Sequence, residues 1–318
     1  MGKNPSVDLL KGVLILLVMI GHCMEITHYQ HPALWVGAGF RMPLMIGISG
    51  YLLNLIRLRA AGMQRIFGHY GERMLLPWLV AMLVYMLISG WPLGWSMALD
   101  MLLRPPFHLW YIPVLFFLVL IARLVPLPPI VLLAIGTPFS LSIMASFGLD
   151  HGPIAPSLLA PDSRFLRYPV YFFFGMLMAE RGISRRYLGA ALLAGGLGMA
   201  WWIGLGTGSN SMTLMAARLL MCLGFIALLP LLSLVRVRVP PLNAIGRDSL
   251  FFYLWHPLAM ALLMAGGAGA GMMLALSVPG LFIASRLSAR LPTLGRLLGS
   301  MPERRATATL PDAVPQAA

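Results

Sequence analysis

The sequence predicts an all-α integral membrane protein of about ten transmembrane helices with both termini in the cytoplasm. Of its 318 residues, 59% are hydrophobic and only 10% are charged, whereas soluble domains average about a quarter charged. Glycine (33 residues) and methionine (23 residues) are frequent, which suits close packing of helices in lipid. The two cysteines, Cys23 and Cys222, lie in apolar runs and are too few for a disulfide framework.

Ten apolar segments are long enough to cross a bilayer. They run over 7–26, 37–56, 73–90, 107–123, 129–147, 167–180, 187–206, 212–235, 249–266 and 268–286. The first is expected to remain as a helix rather than be cleaved as a signal peptide, because it is long, carries Lys11 and lacks a small-residue cleavage site. We therefore divide the chain into a membrane domain, 1–290, and a Pro/Ala-rich cytoplasmic tail, 291–318, which is expected to be disordered.

The basic residues predict the orientation of these segments. Seventeen of the 23 lysines and arginines fall at one set of segment ends or in the tail, whereas the opposite ends hold only Arg104, Arg164 and Arg167. Because positive charge accumulates on the cytoplasmic side, both termini are predicted to lie there, which requires an even number of spans. The net charge of +13 is thus assigned to a cytoplasmic rim facing the lipid bilayer, and no nucleic-acid partner is expected.

The first segment carries the most informative pair of side chains. Lys11 and His22 are eleven residues apart, so on a helix they share a face to within about 20° and lie about 16 Å apart along the axis. A charged lysine within a span is costly and usually faces a cavity or a partner. The pair therefore indicates a polar track with groups at two depths. The alternative is that Lys11 reaches the near membrane surface and pairs with Asp8.

His22 also has a carboxylate one helical turn away, at Glu25. This arrangement suits a general base with an orienting partner. The alternative, which is the commoner case for an isolated His–Glu pair, is an interfacial histidine satisfied by water. His28 and His31 follow in the external loop, but the set lacks the remaining ligands of a zinc site, so no metal centre is predicted.

Two arginines within other spans are expected at the depth of His22. Arg41 lies near the outer end of the second segment, and Arg218 lies about seven residues into the eighth. Two cations at this depth favour an anionic substrate group or pairing with Glu25, and purely structural pairing is the alternative.

Further candidates for substrate contacts are polar or aromatic side chains on spans two, four and nine: Ser49, His108, Trp110, Tyr111, Ser249, Tyr253 and His256. Ser249, Tyr253 and His256 follow the spacing i, i+4, i+7 and share one helix face. His256 precedes Pro257, which leaves a backbone carbonyl without its helical donor. The aromatic pair of span four also fits an ordinary interfacial belt. Ser49 lies between two glycines that permit close approach of another helix.

Four blocks of the chain resemble the membrane-bound acyltransferase-3 family, and within it the fucose 4-O-acetylase-like branch. They are DLLKGVLILLVMIGH, RMPLMIGISGYLL, HLWYIPVLF and NAIGRDSLFFYLWHPL, in family order. The first resembles the family's basic-residue-x10-His signature, with Lys11 and His22 in the two places. Arg41 stands where the family usually has a histidine before Met-Pro-Leu.

The resemblance implies transfer of an acyl group, most often acetyl, from cytoplasmic acyl-CoA to a hydroxyl of an extracytoplasmic or lipid-linked sugar. Acetyl-CoA would be a co-substrate, no bound cofactor is expected, and the location would be the bacterial cytoplasmic (inner) membrane. His22 would act as base or acyl carrier, and Lys11 would anchor the donor. The family often shows Arg-x-x-Arg at the start of span three; only Arg73 matches it here, and Arg65 or Arg57 is a candidate substitute for contact with the CoA phosphates.

Two other function classes remain open from the residues alone. A secondary transporter or flippase would use Lys11, Arg41, Arg218 and His256 to bind an anionic substrate, although no inverted repeat is visible. A silent scaffold of a glycan-assembly complex would tolerate substitution of these residues. The sequence leaves the acceptor and the oligomeric state open.

Overall fold

The protein is helical throughout the part of the chain that the structure, a computed structural model, describes. The described residues are 4–28, 31–90, 95–182, 184–206 and 209–300. They contain sixteen α-helices and no strand. The all-helical fold predicted from the sequence is thus confirmed for these residues.

In chain order the sixteen helices include one for each predicted segment, the second of them shifted by five residues toward the N-terminus, and six shorter helices that no predicted segment represents. They are α1 Pro5–Ile26, α2 Pro32–Tyr51, α3 Leu55–Ala60, α4 Met63–Tyr70, α5 Leu76–Ser89, α6 Trp95–Leu103, α7 Tyr111–Leu124, α8 Pro129–Phe147, α9 Arg164–Arg167, α10 Pro169–Arg181, α11 Arg185–Gly204, α12 Ser211–Ala227, α13 Pro240–Arg247, α14 Ser249–Ala265, α15 Ala270–Arg290 and α16 Pro292–Leu298. A π-helical turn, Gly71–Leu75, joins α4 to α5, and the amide of Leu76 donates to the carbonyl of Gly71 five residues earlier. A 3₁₀ turn, Leu229–Ser233, extends α12.

Six stretches of the described chain are long and apolar enough to cross a membrane. They are Pro5–Ile26, Met63–Ser89, Pro129–Phe147, Arg185–Gly204, Ser211–Ser233 and Ala270–Arg290. A seventh is obtained if α13 and α14, which meet at an angle of 88°, count as one broken span. Each of the other predicted segments also contains a helix, but α7 has 14 residues and α10 has 13. The structure therefore supports about six spans, and the count of ten and the sides of the termini stay predictions.

Helix α1 is held by close contacts with α13 and with the segment that precedes it. A Cβ at Gly12 would meet the carbonyl of Leu242, so only glycine lets the two helices approach this closely. The side chain of Asn243 donates to the carbonyl of Pro5 at 2.6 Å, and the hydroxyl of Ser6 donates to the carbonyl of Val235 at 2.7 Å. Because α14 follows α13 directly, these contacts fix how the far end of α1 meets α14.

The small residues of α2 also permit a close helix contact, as the sequence predicts. A Cβ at Gly50 would meet the backbone carbonyl of Phe172 on α10, and a Cβ at Gly175 would meet the carbonyl of Gly47. Ser49 lies between Gly47 and Gly50 in the sequence, but its hydroxyl contacts Tyr111 of α7 rather than α10.

The predicted tail 291–318 begins with an ordered helix. Helix α16 packs against α5 and α15, and the indole of Trp255 donates to the carbonyl of Leu298 at 2.9 Å. The packed domain therefore extends ten residues beyond the predicted limit at 290, because the apolar side chains of α16 find partners that no local pattern reveals. Residues 301–318 lie outside the described residues.

Candidate functional site

Three histidines meet near the end of α1: one from α1 itself, one from the turn that precedes α7 and one from α14. Their ring centroids are 5.9 Å apart for His22 and His108, 5.2 Å for His22 and His256, and 5.3 Å for His108 and His256. His256 is fully buried and His108 is 5% exposed, whereas the side chain of His22 is 29% exposed. His22 is therefore the member of the cluster that a substrate reaches most directly.

His22 is oriented by a carboxylate, and the carboxylate by an arginine. Nδ1 of His22 lies 2.9 Å from Oε2 of Glu25, and Nη2 of Arg41 lies 3.6 Å from Oε1 of the same carboxylate. Arg41 also donates from Nη1 to the carbonyl of Leu17 at 3.1 Å. Gly21 makes room for this arrangement, because a Cβ there would overlap the guanidinium. With Nδ1 donating to Glu25, Nε2 of His22 is left as the proton acceptor.

The proline after His256 explains how that histidine is held. Pro257 has no N–H, so the carbonyl of Tyr253 lacks its helical donor. Nδ1 of His256 lies 3.1 Å from this carbonyl and 2.8 Å from that of Phe252. Because carbonyls only accept, Nδ1 carries the proton. Nε2 is then an acceptor, and it is buried without a hydrogen-bond partner among the described residues.

Tyr85 completes the same opened turn, and sequence reasoning missed it. Its hydroxyl accepts from the amide of Leu258 at 2.9 Å and donates to the carbonyl of Leu254 at 3.1 Å. Nε2 of His108 approaches that carbonyl at 3.4 Å. The signal that Pro257 opens the helix was present in the sequence, but nothing local indicated which side chain fills the opening.

Tyr253, Tyr111 and Ser49 form a chain of hydrogen bonds behind the histidines. The hydroxyl of Tyr253 donates to the carbonyl of His108 and accepts from the amide of Tyr111 at 3.2 Å. The hydroxyl of Tyr111 lies 2.9 Å from Oγ of Ser49. The hydroxyl proton of Tyr253 is therefore engaged in the bond to the His108 carbonyl. Together, Tyr253 and Tyr111 stabilise the backbone that carries His108. Ser249 makes no hydrogen bond with them in the described structure.

Trp110 is enclosed rather than presented to a ligand. Its ring is 9% exposed. It stacks on Tyr168 with centroids 5.0 Å apart and planes 12° apart, and Cζ of Arg164 lies 5.2 Å from its centroid. In this conformation the ring offers no free face for stacking on a sugar.

Arg218 is buried close to Arg41 but does not reach Glu25. Its Nε donates to the carbonyl of Gly39 at 2.9 Å. The prediction that both arginines lie near the depth of His22 holds for Arg41, which contacts Glu25 directly. Arg218 is the next cation beyond it, within the range of their electrostatic interaction.

The residues predicted to bind the donor, Lys11, Arg65 and Arg73, lie toward the opposite ends of their helices from the histidine cluster. Helix α1 is uninterrupted from Pro5 to Ile26, so Lys11 and His22 share a face about 16 Å apart, and Lys11 is half-buried. Arg73 lies in the π-helical turn, about 18 Å along the axis from Tyr85 by helical rise. Arg73 and Arg65 are both exposed. Both helices run toward the histidine cluster, so the cations precede it on each.

No group of three or more histidine, cysteine, aspartate or glutamate side chains in the described ranges is arranged to hold a metal ion.

Comparison with known proteins identifies the family. Residues 4–288 match the model of a protein family that is described as "Acyltransferase domain". Over 84 residues the chain is 38% identical to nodulation protein NolL of Mesorhizobium japonicum, a match that covers 24% of this chain and 22% of that protein. The chain thus aligns with about a fifth of the length of this relative, and no solved structure matches it. Because the family match extends over nearly the whole chain, the protein belongs to the acyltransferase-3 family, and its long apolar helices are those of a multi-pass membrane protein.

Proposed function

We propose that the protein transfers an acyl group, most often acetyl, from acyl-CoA to a hydroxyl of a sugar. The observation that carries this proposal is the His22–Glu25 pair, held at 2.9 Å beside two buried histidines. A carboxylate that fixes the tautomer of an accessible histidine is the arrangement that general-base activation of a hydroxyl requires.

In the proposed reaction, the acceptor hydroxyl donates its proton to Nε2 of His22. The hydroxyl oxygen attacks the thioester carbonyl, the new C–O ester bond forms, and the C–S bond breaks. The departing CoA thiolate takes the proton from the imidazolium, so His22 returns to its neutral form. In the alternative path, Nε2 attacks the thioester first, a C–N bond forms, and the C–S bond breaks as CoA leaves as its thiolate. The hydroxyl oxygen then attacks the acyl group on Nε2, the C–N bond breaks, and the hydroxyl proton passes to the CoA thiolate.

The neighbouring residues support these steps in distinct ways. Glu25 stabilises the positive imidazolium, and Arg41 holds Glu25 in place. The unpartnered Nε2 of His256 is an acceptor that can orient the substrate hydroxyl, and His108 packs against both other rings. We propose Ser49, Tyr111 and Tyr253 as supports of this arrangement, because their hydroxyl groups already make hydrogen bonds behind the histidines. Ser249 and Trp110 are proposed as further substrate contacts.

Acyl-CoA is proposed to bind at the opposite end of the same helices. Arg65 and Arg73 would contact the CoA phosphates, and Lys11 would anchor the acyl-CoA deeper in the membrane. The pantetheine arm extends about 15–20 Å, which fits the axial separation of about 16 Å between Lys11 and His22.

In this proposal, the helix ends that bind acyl-CoA, near Lys11, Arg65 and Arg73, face the cytoplasm. We propose ten spans with both termini cytoplasmic, in the inner membrane of a bacterium. In support, each of the ten apolar segments contains a helix, and the basic residues alternate between segment ends as expected of such a topology. The helices that fall short of spanning length or hydropathy include α2, α7 and α14, which carry site residues.

The acceptor is proposed to be an extracytoplasmic or lipid-linked glycan, as in the fucose 4-O-acetylase-like branch. The local similarity to a nodulation protein supports an oligosaccharide exported from the cell as one candidate. A secondary transporter is the competing class, and the following experiment separates the two.

The proposal is tested with membranes that contain the full chain and are given acetyl-CoA labelled in the acetyl group. We expect label in cell-envelope glycan with the wild type, and at least 100-fold less with His22→Ala. The control is His151→Ala, an exposed loop histidine, which we expect to retain the wild-type rate. Wild-type labelling by the His22→Ala protein, or uptake without covalent labelling, contradicts the proposal. Hydroxylamine, which captures an acyl-imidazole, separates the acyl-carrier path from direct general-base catalysis.

A further inference from the structure

Helix α4 has two different faces, and ring contacts show which of them packs against the protein. Phe67 and Tyr70 contact Phe116 of α7, with ring centroids 5.7 Å and 6.2 Å apart. Arg65 and His69 project from the other side of the same helix, about 150° away by helical geometry, and both are exposed. The face that carries Arg65 and His69 is therefore turned away from α7.

Three basic side chains follow one another along this exposed face. Arg65 and His69 are four residues apart on α4, a spacing that places their Cβ atoms about 5–6 Å apart. Arg73 follows four residues later, in the π-helical turn Gly71–Leu75, and is exposed as well. His69 is within electrostatic range of both arginines. These three residues are named the basic row.

The π-helical turn keeps Arg73 in line with the other two members of the basic row. In a regular α-helix each step of four residues moves a side chain by about 40° around the axis, so three such residues would drift by about 80°. The π turn holds one residue more than the α-helical repeat, which reduces the second step. The row is therefore straighter than an unbroken α-helix would make it.

No carboxylate neutralises the basic row within the described part of the chain. None of its members forms an ion pair there, not even with Glu72, which is the nearest acidic residue in the sequence. Two neighbouring arginines are used differently, because Arg59 donates to the carbonyl of Ala122 at 3.2 Å and Arg123 donates to that of Ala61 at 3.0 Å. The basic row is thus an exposed concentration of positive charge that is complementary to phosphate groups.

The position of the basic row fits the two phosphate-bearing parts of CoA. Arg73 lies about 18 Å along the axis from Tyr85, whose ring is 5.4 Å from that of His108, and the pantetheine arm extends about 15–20 Å. The 5′-diphosphate at the end of this arm therefore falls near Arg73. Arg65 lies about 12 Å further from the histidines, with His69 between. The 3′-phosphate, which the ribose carries beyond the diphosphate, falls near Arg65 and His69.

We propose that the basic row binds the nucleotide part of acyl-CoA, with Arg73 at the 5′-diphosphate and Arg65 and His69 together at the 3′-phosphate. This rests on the proposed function, because it takes acyl-CoA as the donor. It adds His69, whose ring N–H can donate to a phosphate oxygen in either protonation state. It also assigns the protein a preference for CoA over the same molecule without its 3′-phosphate.

Donor binding is measured without an acceptor, so its outcome is independent of acyl transfer. The full chain in a neutral detergent is titrated calorimetrically with CoA, 3′-dephospho-CoA and pantetheine. We expect CoA to bind at least tenfold more tightly than 3′-dephospho-CoA, and pantetheine to bind most weakly. Equal binding of CoA and 3′-dephospho-CoA overturns the proposal, even in a protein that transfers acetyl groups.

Two further outcomes have distinct meanings. Displacement of CoA by phosphatidylglycerol at an equal concentration of phosphate would assign the basic row to lipid headgroups and overturn the proposal. A protein that prefers CoA as expected, but labels no glycan, refutes the proposed acyl transfer and leaves the basic row in place.

Substitutions assign the two phosphate groups. In His69→Ala and Arg65→Gln we expect the Kd for CoA to rise about tenfold, while the Kd for 3′-dephospho-CoA stays within twofold. In Arg73→Gln both constants should rise. The control is Arg185→Gln, at an exposed arginine that begins α11, and it should change neither. An unchanged preference for CoA in the His69→Ala protein contradicts the assignment.

The alignment of the basic row is tested separately from its charge. Deletion of Gly71 keeps all three basic side chains but removes the extra residue of the π turn, so Arg65 and His69 move out of line with Arg73. We expect the preference for CoA to be lost. The control, Gly71→Ala, keeps the chain length, and a Cβ there meets nothing within 4 Å, so it should bind CoA like the wild type. A retained preference in the deletion variant contradicts the proposed alignment. If that variant does not fold, the His69→Ala titration decides.

Discussion

Nδ1 of His22 lies 2.9 Å from Oε2 of Glu25, three residues further along the same helix. The i, i+3 spacing alone brings such side chains together, but Arg41 from a second helix holds the carboxylate in position. The His22–Glu25 pair is therefore fixed by tertiary structure. The contributions of Glu25 and Arg41 can be tested separately by substitution.

The charge of Glu25 is tested by Glu25→Gln. The amide oxygen still accepts from Nδ1 of His22, but it no longer stabilises the imidazolium, so we expect the rate of acetyl transfer to fall about 100-fold. The unfolding midpoint should change little, because the carboxylate side chain is 47% exposed. Transfer from labelled acetyl-CoA and the thermal midpoint are measured together. Glu180→Gln, at an exposed position of α10, is the control, and equal rates in the two variants would remove Glu25 from the reaction.

Gly21 is expected to act through Arg41. In Gly21→Ala the new methyl group overlaps the guanidinium, so we expect Arg41 to be displaced, transfer to fall tenfold or more, and stability to drop by about 1–3 kcal/mol. Gly196→Ala on α11 is the matched control, because a Cβ there meets nothing within 4 Å. It should be neutral or stabilising by up to about 1 kcal/mol.

A double variant checks that this route is the right one. In an Arg41→Ala background the overlap is gone, so Gly21→Ala should add no further loss of activity. A full additional loss in that background would show that Gly21 acts through another contact.

The hydroxyl of Tyr85 is tested by Tyr85→Phe. Its removal leaves the amide of Leu258 and the carbonyl of Leu254 without this bridge, so we expect a loss of about 1–3 kcal/mol of stability. We also expect a several-fold loss of transfer, because His108 approaches the same carbonyl. Tyr171→Phe is the control, since among the described residues the buried hydroxyl of Tyr171 makes only a weak hydrogen bond, to the sulfur of Met144 at 3.8 Å. Indistinguishable midpoints in the two variants count against the bridging role.

Pro257→Ala separates stability from activity. The restored amide can donate to the carbonyl of Tyr253, which should stabilise α14, since proline costs about 3 kcal/mol within a helix. The same bond competes with Nδ1 of His256 for that carbonyl, so we expect transfer to fall several-fold while the midpoint rises. Pro279→Ala, within α15, should raise the midpoint and leave transfer unchanged. Full activity in Pro257→Ala would show that His256 does not depend on the opened turn.

The relationships within single helices were predictable from the sequence, because helical period alone fixes them. Lys11 and His22 on one face, Glu25 one turn from His22, and the freed carbonyl before Pro257 all follow from spacing. The close approach at Gly50 was predictable in kind, although its partner α10 was not.

Relationships between helices were out of reach of the same reasoning. His22, His108 and His256 are 86 and 148 residues apart along the chain, and no local pattern specifies that their rings meet. The packing of α16, where a disordered tail was expected, depends on the partners that α5 and α15 provide. The number of spans stays a prediction for a related reason: α7 and α10 are apolar, but with 14 and 13 residues they are shorter than a helix that crosses a bilayer.

The π-helical turn Gly71–Leu75 separates α4 from α5. The side chains of α4 therefore point in directions that one continuous α-helix with α5 would not give them. Such a turn holds one residue more than the regular α-helical repeat. Shortening the chain by one residue there would restore an unbroken repeat and rotate the exposed, arginine-bearing half by about 100°, while Tyr85 stayed in place. The rotational setting of the surface charges can thus be altered without disturbing the buried contacts of the histidine cluster.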